Sequence, residues 1–260
     1  MTTPHKIKVL IVQADDRPHL DYANLSRLTN DKQLTFLQDY PDKYNKIEFE
    51  ISNQLLPPHH LPPPQETITL HPATAKIPFM RDLLNSNTTH DYVIFLDSDA
   101  WIQTVEYVYE LILYLHYQPD KYGCFSRDPY LKKNTYINSG SFILKICPYT
   151  RDLYEKIYQR VLEDPTHHHT LYYDQNYISD IIYENRDQFV IFKPDVINTP
   201  DGKIMRHNWW KNHYMYVCMY QIVDSFFLKT HTQPTQAFNF NKELDKEPYP
   251  NPNETGHEYR

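Results

Sequence analysis

Two carboxylates, Asp97 and Asp99, stand one residue apart directly after the apolar run Val93-Ile94-Phe95-Leu96. A short unbroken apolar run reads as a buried strand. The carboxyl ends of strands are where open α/β sheets place ligands. Carboxylates at i and i+2 can converge on one hard divalent cation. Mg²⁺ or Mn²⁺ held by few carboxylates also takes substrate phosphate oxygens. The pattern therefore points to metal-assisted handling of a diphosphate. Two plainer uses stay open: a solvated turn, or Asp99 capping a helix that begins near residue 103.

The elements that must position this pair alternate along the chain. Residues 6–12 form a continuous apolar run suited to a first parallel strand, and a polar helix is predicted over 21–39. Residues 46–52 alternate like a second strand. The Pro-rich stretch 55–66 is a surface loop, because proline removes backbone donors. Its histidines His59 and His60 read as solvated. Ala73, Ile77, Met80 and Leu84 share one helical face, although Pro78 should start or kink that helix. Val105, Val108, Tyr109, Ile112 and Leu115 form the apolar face of another. Strands are predicted at 122–126, 136–145 and 189–192, and helices at 150–162, 174–184 and 214–228. The fold class is α/β: one domain with a mainly parallel central sheet between helices. That domain spans 1–230, and a polar, Pro-rich C-terminal arm follows over 231–260.

Composition excludes several functions. Only four glycines occur among 260 residues, and neither G-x-G-x-x-G nor G-x-x-x-x-G-K-[ST] is present. Dinucleotide and P-loop readings thus lack support. The net charge is −7 with no basic run, which argues against nucleic acid as a partner. Three scattered cysteines without C-x-x-C read as reduced thiols. No signal-like or 18-residue apolar span is visible, so a cytoplasmic protein without a membrane span is expected.

The ordered set "HPATAKIPFMRDLL" (71–84), "DYVIFLDSDAWIQ", "YINSGSFILK", "DQNYISDII" (174–182) and "RHNWW" (206–210) resembles the GT-A glycosyltransferases. The closest likeness is to the retaining family of galactomannan galactosyltransferases and xyloglucan xylosyltransferases. The resemblance covers about residues 70–210. The haloacid-dehalogenase phosphatases share the apolar strand ending in Asp-x-Asp. They normally carry Thr or Val where this chain has Trp101, which weakens that rival.

The resemblance implies a metal-dependent transferase that moves a sugar from a UDP-sugar to a glycan or other hydroxyl acceptor. Asp97, Asp99 and His207 would be the metal set, for Mn²⁺ or Mg²⁺, with imidazole favouring Mn²⁺. Lys76, Asp97, Ser98, Asn138, Ser139, Gly140 and Lys211 would contact the nucleotide-sugar. Gly140 would let backbone approach the ligand. Gln175 and Asp174 would lie at the reacting carbon, Gln175 steadying the oxocarbenium-like sugar and Asp174 orienting it. Asp174 also suits a helix N-cap. The chain departs from the family in lacking a Gly after the histidine. Lys211 comes one residue early for the diphosphate, and Lys203 is a substitute candidate. The alternatives are an inverting GT-A enzyme with Asp174 as base, or a sugar-nucleotide binding protein without turnover.

Overall fold

The structure, a computed structural model, describes residues 5–16, 21–63, 68–129, 136–166, 172–208 and 237–246. The apolar run before the two carboxylates is strand β3 (Tyr92–Asp97), buried along its length until Asp97. It lies inside a six-stranded sheet with β1 (Ile7–Asp15), β2 (Ile47–Leu55), β5 (Gly123–Arg127), β6 (Ile137–Lys145) and β7 (Val190–Phe192). The order is β2-β1-β3-β6-β5-β7. β6 is antiparallel to both neighbours, while β2, β1, β3, β5 and β7 run together. The mainly parallel sheet expected from the sequence is present, with one reversed strand.

Alternation along β3 explains the two-sided core. Val93 and Phe95 face one apolar cluster, and Ile94 and Leu96 face the other. Helices α2 (Pro72–Asn85), α4 (Pro148–Glu163) and α5 (Gln175–Glu184) cover the first face. Helix α3 (Val105–His116) covers the second, with Val105, Val108, Leu111, Ile112 and Leu115 turned inward. On the first face Phe142 stacks between Phe95 and Phe125, at centroid distances of 5.1 and 5.3 Å.

Pro78 neither starts nor ends α2, which begins six residues earlier at Pro72 and runs through it. Proline at the first helical position forfeits nothing, since that N–H has no helical partner. Pro78 does forfeit one hydrogen bond, yet it is buried, as are Ile77 and Met80. Core packing therefore overrides the local preference.

The expected helix from about residue 103 begins instead at Val105. A short strand β4 (Ala100–Ile102) precedes it and pairs antiparallel with β8 (Met205–His207). Asp99 is thus not a helix cap. Helix α1 (Asp21–Gln38) lies over this turn with a polar rather than an apolar grip. The Ser26 hydroxyl donates to the Ser98 carbonyl at 2.8 Å. Asn30 accepts from the Ile102 N–H at 2.8 Å, and the Gln33 amide donates to the Gln103 carbonyl at 3.0 Å. Gln13 on β1, bonded to Asn30, donates to the Ala100 carbonyl. All four side chains are buried.

Between β7 and β8 the chain makes one helical turn, α6 (Pro194–Ile197). Residues 237–246, from the expected C-terminal arm, lie against α3 and β7. Phe238 packs on Tyr107, and Phe240 on Tyr114. Arg127 pairs with Asp245 at 3.0 Å. The helix expected over 214–228 lies outside the described residues.

The Phe95–Phe142–Phe125 stack predicts that Phe142→Ala lowers the free energy of unfolding by about 3–5 kcal/mol, through lost transfer energy and a residual cavity. Urea unfolding followed by circular dichroism measures this. A loss below about 1 kcal/mol would mean the stack contributes no packing.

Candidate functional site

The β3 tip opens into a cleft of about 380 Å³ lined by Ala14, Asp16, Leu56, His71, Lys76, Asp97 and Asp99, among others. It sits at the carboxyl ends of β1 and β3. A second groove, of about 350 Å³, lies at the opposite ends of β1 and β2 around Lys6 and Glu48. Among the described residues, the one cluster of three potential metal ligands belongs to the first cleft. One ligand atom each from Asp97, Asp99 and His207 lie within 4.8 Å of one another.

His207 reaches the cluster because β8 pairs with β4, which sets His207 opposite Ala100. The Asn208 N–H donates to the Asp99 carbonyl at 2.9 Å, closing the pairing. His207 Nε2 stands 3.3 Å from Asp99 Oδ1 and 3.6 Å from Asp97 Oδ2. Burial disfavours charge on both partners, but proximity outweighs it. The Asp99 carboxyl is held below its ordinary pKa, chiefly by His207. The His207 imidazole is held above its own, chiefly by Asp99 and then Asp97. Two carboxylates and an imidazole are a donor set suited to Mn²⁺ and acceptable to Mg²⁺. The residues present therefore fit a divalent cation.

Gly140 lies against His207. A Cβ at this position would lie 2.0 Å from His207 Cε1 and 2.1 Å from Nδ1. The missing side chain makes room for the imidazole.

Lys76, from α2, is almost fully buried beside the cluster. Its ammonium donates to Asp97 Oδ1 at 2.9 Å and Oδ2 at 3.1 Å, and stands 3.4 Å from Asp174 Oδ2. Burial works against its charge, yet Asp174 and Asp97 together hold its pKa above the ordinary lysine value. Asp174 is buried in turn. Burial pushes its carboxyl up, with Lys76 opposing and Asp97 adding. Asp174 precedes α5 but makes no side-chain cap, because its carboxylate is turned to Lys76 and Ser139. The two residues before it, Tyr172 and Tyr173, have positive φ of 77° and 40°. Tyr173 stacks on His71 at 3.9 Å, and His71 Nδ1 caps α2. The turn that aims Asp174 is thus strained and braced against the helix that carries Lys76.

Gln175 faces the same region. Its amide nitrogen donates to Asp128 Oδ2 at 3.0 Å and to the Ile137 carbonyl at 2.9 Å. Asn138 donates to the same Asp128 oxygen at 3.1 Å, and its own oxygen accepts from the Gly140 N–H. Asp128, buried at the end of β5, was not singled out by the sequence reading. No motif marks it; only the pairing of β5 with β6 brings it to Gln175. Ser139 joins the site through its carbonyl, 3.4 Å from Lys76 Nζ, and through its hydrogen bond with Asp174, and Ser98 lines the cleft. Lys203 does not reach the cleft, its ammonium being drawn to Glu243 and Asp195 at 2.9 and 3.0 Å. Lys211 lies outside the described residues.

No protein-family model and no curated protein sequence matches the chain. Solved structures do resemble it. One is a glycosyltransferase involved in the glycosylation of the major capsid of PBCV-1. It has TM-score 0.50 and 11% identity, over 85% of this chain and 99% of that one. The galactosyltransferase LgtC, in complex with donor and acceptor sugar analogs, gives 0.51 and 12%, over 83% and 95%. The glycosyltransferase GlyE of Streptococcus pneumoniae TIGR4 gives 0.51 and 13%, over 86% of this chain and 64% of that one. The fold is therefore one found in solved glycosyltransferases. Among the described residues no helix is long and apolar enough to cross a membrane.

Two outcomes follow from this geometry. Lys76→Met leaves Asp174 buried without its cation, so it should destabilise by about 3–5 kcal/mol. Adding Asp174→Asn should restore part of that loss. The double-mutant cycle, read by chemical denaturation, should give a coupling of about 0.5–3 kcal/mol, and purely additive losses would refute the pairing. Gly140→Ala should displace the His207 ring and weaken Mn²⁺ binding at least tenfold, about 1.4 kcal/mol, in calorimetric titration. Undiminished binding would show that the ring's position is immaterial.

Proposed function

We propose that this protein is a metal-dependent glycosyltransferase that moves a sugar from a UDP-sugar to a glycan or other hydroxyl acceptor, with retention of anomeric configuration. One observation carries the reading. Asp97, Asp99 and His207 converge at a strand end, beside a cleft, in a fold found in glycosyltransferases. The resemblance of the motifs to the retaining galactosyl- and xylosyltransferases supports the finer part. In this reading residues 1–230 are the catalytic domain and 231–260 an appended arm.

A divalent cation bound by Asp97, Asp99 and His207 would supply positive charge to the departing diphosphate. The chain's own groups do the rest. Lys76 adds a buried positive charge beside Asp97 and fixes the direction of Asp174. Asp174, with one carboxylate oxygen toward Lys76, is placed to accept hydrogen bonds from hydroxyls of the donor sugar. In this reading Asn138 and Ser139 contact the donor sugar, and Ser98, which lines the cleft, contacts the nucleotide. Lys211 remains the candidate for the diphosphate, since Lys203 is engaged elsewhere.

Gln175 supports retention. Both hydrogens of its amide nitrogen are spent on Asp128 and Ile137, which leaves the carbonyl oxygen as its available atom. That oxygen can steady a positively charged sugar but cannot take a proton at neutral pH. The acceptor hydroxyl then attacks from the side of the leaving diphosphate, whose oxygen receives the proton. An inverting enzyme would instead use Asp174 as base, and its burial-raised carboxyl suits that task. The ion pair with Lys76 argues against it.

The test is UDP release from UDP-glucose, UDP-galactose and UDP-xylose, with and without MnCl₂. One donor should be consumed only with metal, and Asp99→Ala should lower that rate by about 10²–10³-fold. Wild-type rates in the variant would sink the metal assignment. Proton NMR of the product should give an α anomeric signal. A β signal would end the retaining reading and make Asp174 the base.

A further inference from the structure

Resting on the metal reading above, we infer that Asn198 is the positioning residue that makes His207 a metal ligand, by fixing which ring nitrogen carries the hydrogen. Asn198 follows α6 and is fully buried. Its side-chain nitrogen donates to the Asn138 carbonyl at 2.6 Å and to the Ser141 carbonyl at 3.2 Å. Carbonyl oxygens only accept, so the nitrogen of the amide must face them. The amide oxygen is thereby turned to His207 Nδ1, 2.9 Å away. An oxygen there accepts, so Nδ1 must carry the hydrogen. In the neutral ring Nε2 then keeps its lone pair, and Nε2 is the atom that points at Asp99 and Asp97.

The orientation of one amide therefore decides the donor atom of the metal set. Three further contacts keep the amide in place. The Ser141 hydroxyl donates to the Ile197 carbonyl, and the Ser126 hydroxyl accepts from the Ile197 N–H. The His207 N–H donates to the Thr199 carbonyl at 3.2 Å. On its other side the ring lies against Gly140, where a Cβ would come within 2.1 Å of Nδ1. Strand β6 thus reads its own backbone carbonyls into the tautomer of a histidine on β8, through Asn198. The sequence carries no sign of this, since "INTPDG" reads as an ordinary turn.

The first test uses the wild-type protein free of metal, at alkaline pH where the imidazole is neutral. Long-range ¹⁵N–¹H NMR should show a hydrogen on Nδ1 of His207 and a bare Nε2. A hydrogen on Nε2 overturns the inference. The second test is Mn²⁺ titration calorimetry on Asn198→Leu and Asn198→Asp. The leucine variant removes the acceptor and should lose about 10–100-fold in affinity. The aspartate variant keeps an oxygen for Nδ1–H while losing both donor bonds, and should recover most of that affinity even where its melting temperature falls. Equal Mn²⁺ affinity in wild type and Asn198→Leu overturns the inference. So does a parallel fall of affinity and melting temperature in both variants, which a purely structural amide would give. If wild-type Mn²⁺ binding is absent or insensitive to Asp99→Ala, the metal reading fails. The tautomer measurement still decides the role of Asn198.

Discussion

A buried ammonium held between two carboxylates organises the cleft. Lys76 cannot leave water without partners, and its partners come from separate places: Asp97 from the end of a central strand, Asp174 from the residue before α5. Each element must therefore end where it does for the charge to be neutralised. Such a triad adds little net stability compared with an apolar replacement. Its effect is one of placement. It prevents α2, β3 and the start of α5 from sliding against one another, because any shift strands a charge in a dry wall. The acidic cluster beyond it inherits that registration.

The turn carrying Asp99 is held by a second device. Apolar packing cannot fix an irregular loop, because its backbone groups need partners once water is excluded. Helix α1 supplies them with Ser26, Asn30 and Gln33, and β1 adds Gln13. These contacts are to backbone, so they fix the path of the chain whatever side chains the turn carries. The short pairing of β4 with β8 then brings His207 in from far along the sequence. The site is a rigid loop met by a rigid strand, with a glycine between them to let the ring approach.

Much of this was legible in the sequence, for a physical reason in each case. Short apolar runs showed the buried strands, because a strand covered on both faces has no polar side to display. Periodicity showed α2 and α3. The carboxylate pair was legible because it interrupts such a run. What escaped notice depended on contacts between distant segments. Asp128 and Asn198 are ordinary polar residues in ordinary loops, and only the sheet order gives them partners. The strand at 100–102 was hidden because three residues carry no period, and its partner lies beyond residue 200. Gly140 stands out in the sequence by its missing side chain, but only the fold shows that His207 packs against it. Lys203 was singled out by position, but two nearby acids hold it.

The paired tyrosines before Asp174 bear on how this chain can change over time. A non-glycine residue at positive φ costs on the order of 1–3 kcal/mol, and here two stand in sequence. Glycine or asparagine would relieve the strain with a single substitution each. Selection for stability alone would accept such replacements readily, since proteins sit close to a threshold where any such gain counts. They would also free the turn that the Tyr173 ring pins against His71, and with it the aim of the carboxylate that follows. The two tyrosines thus mark a trade between a more durable chain and a better-aimed one.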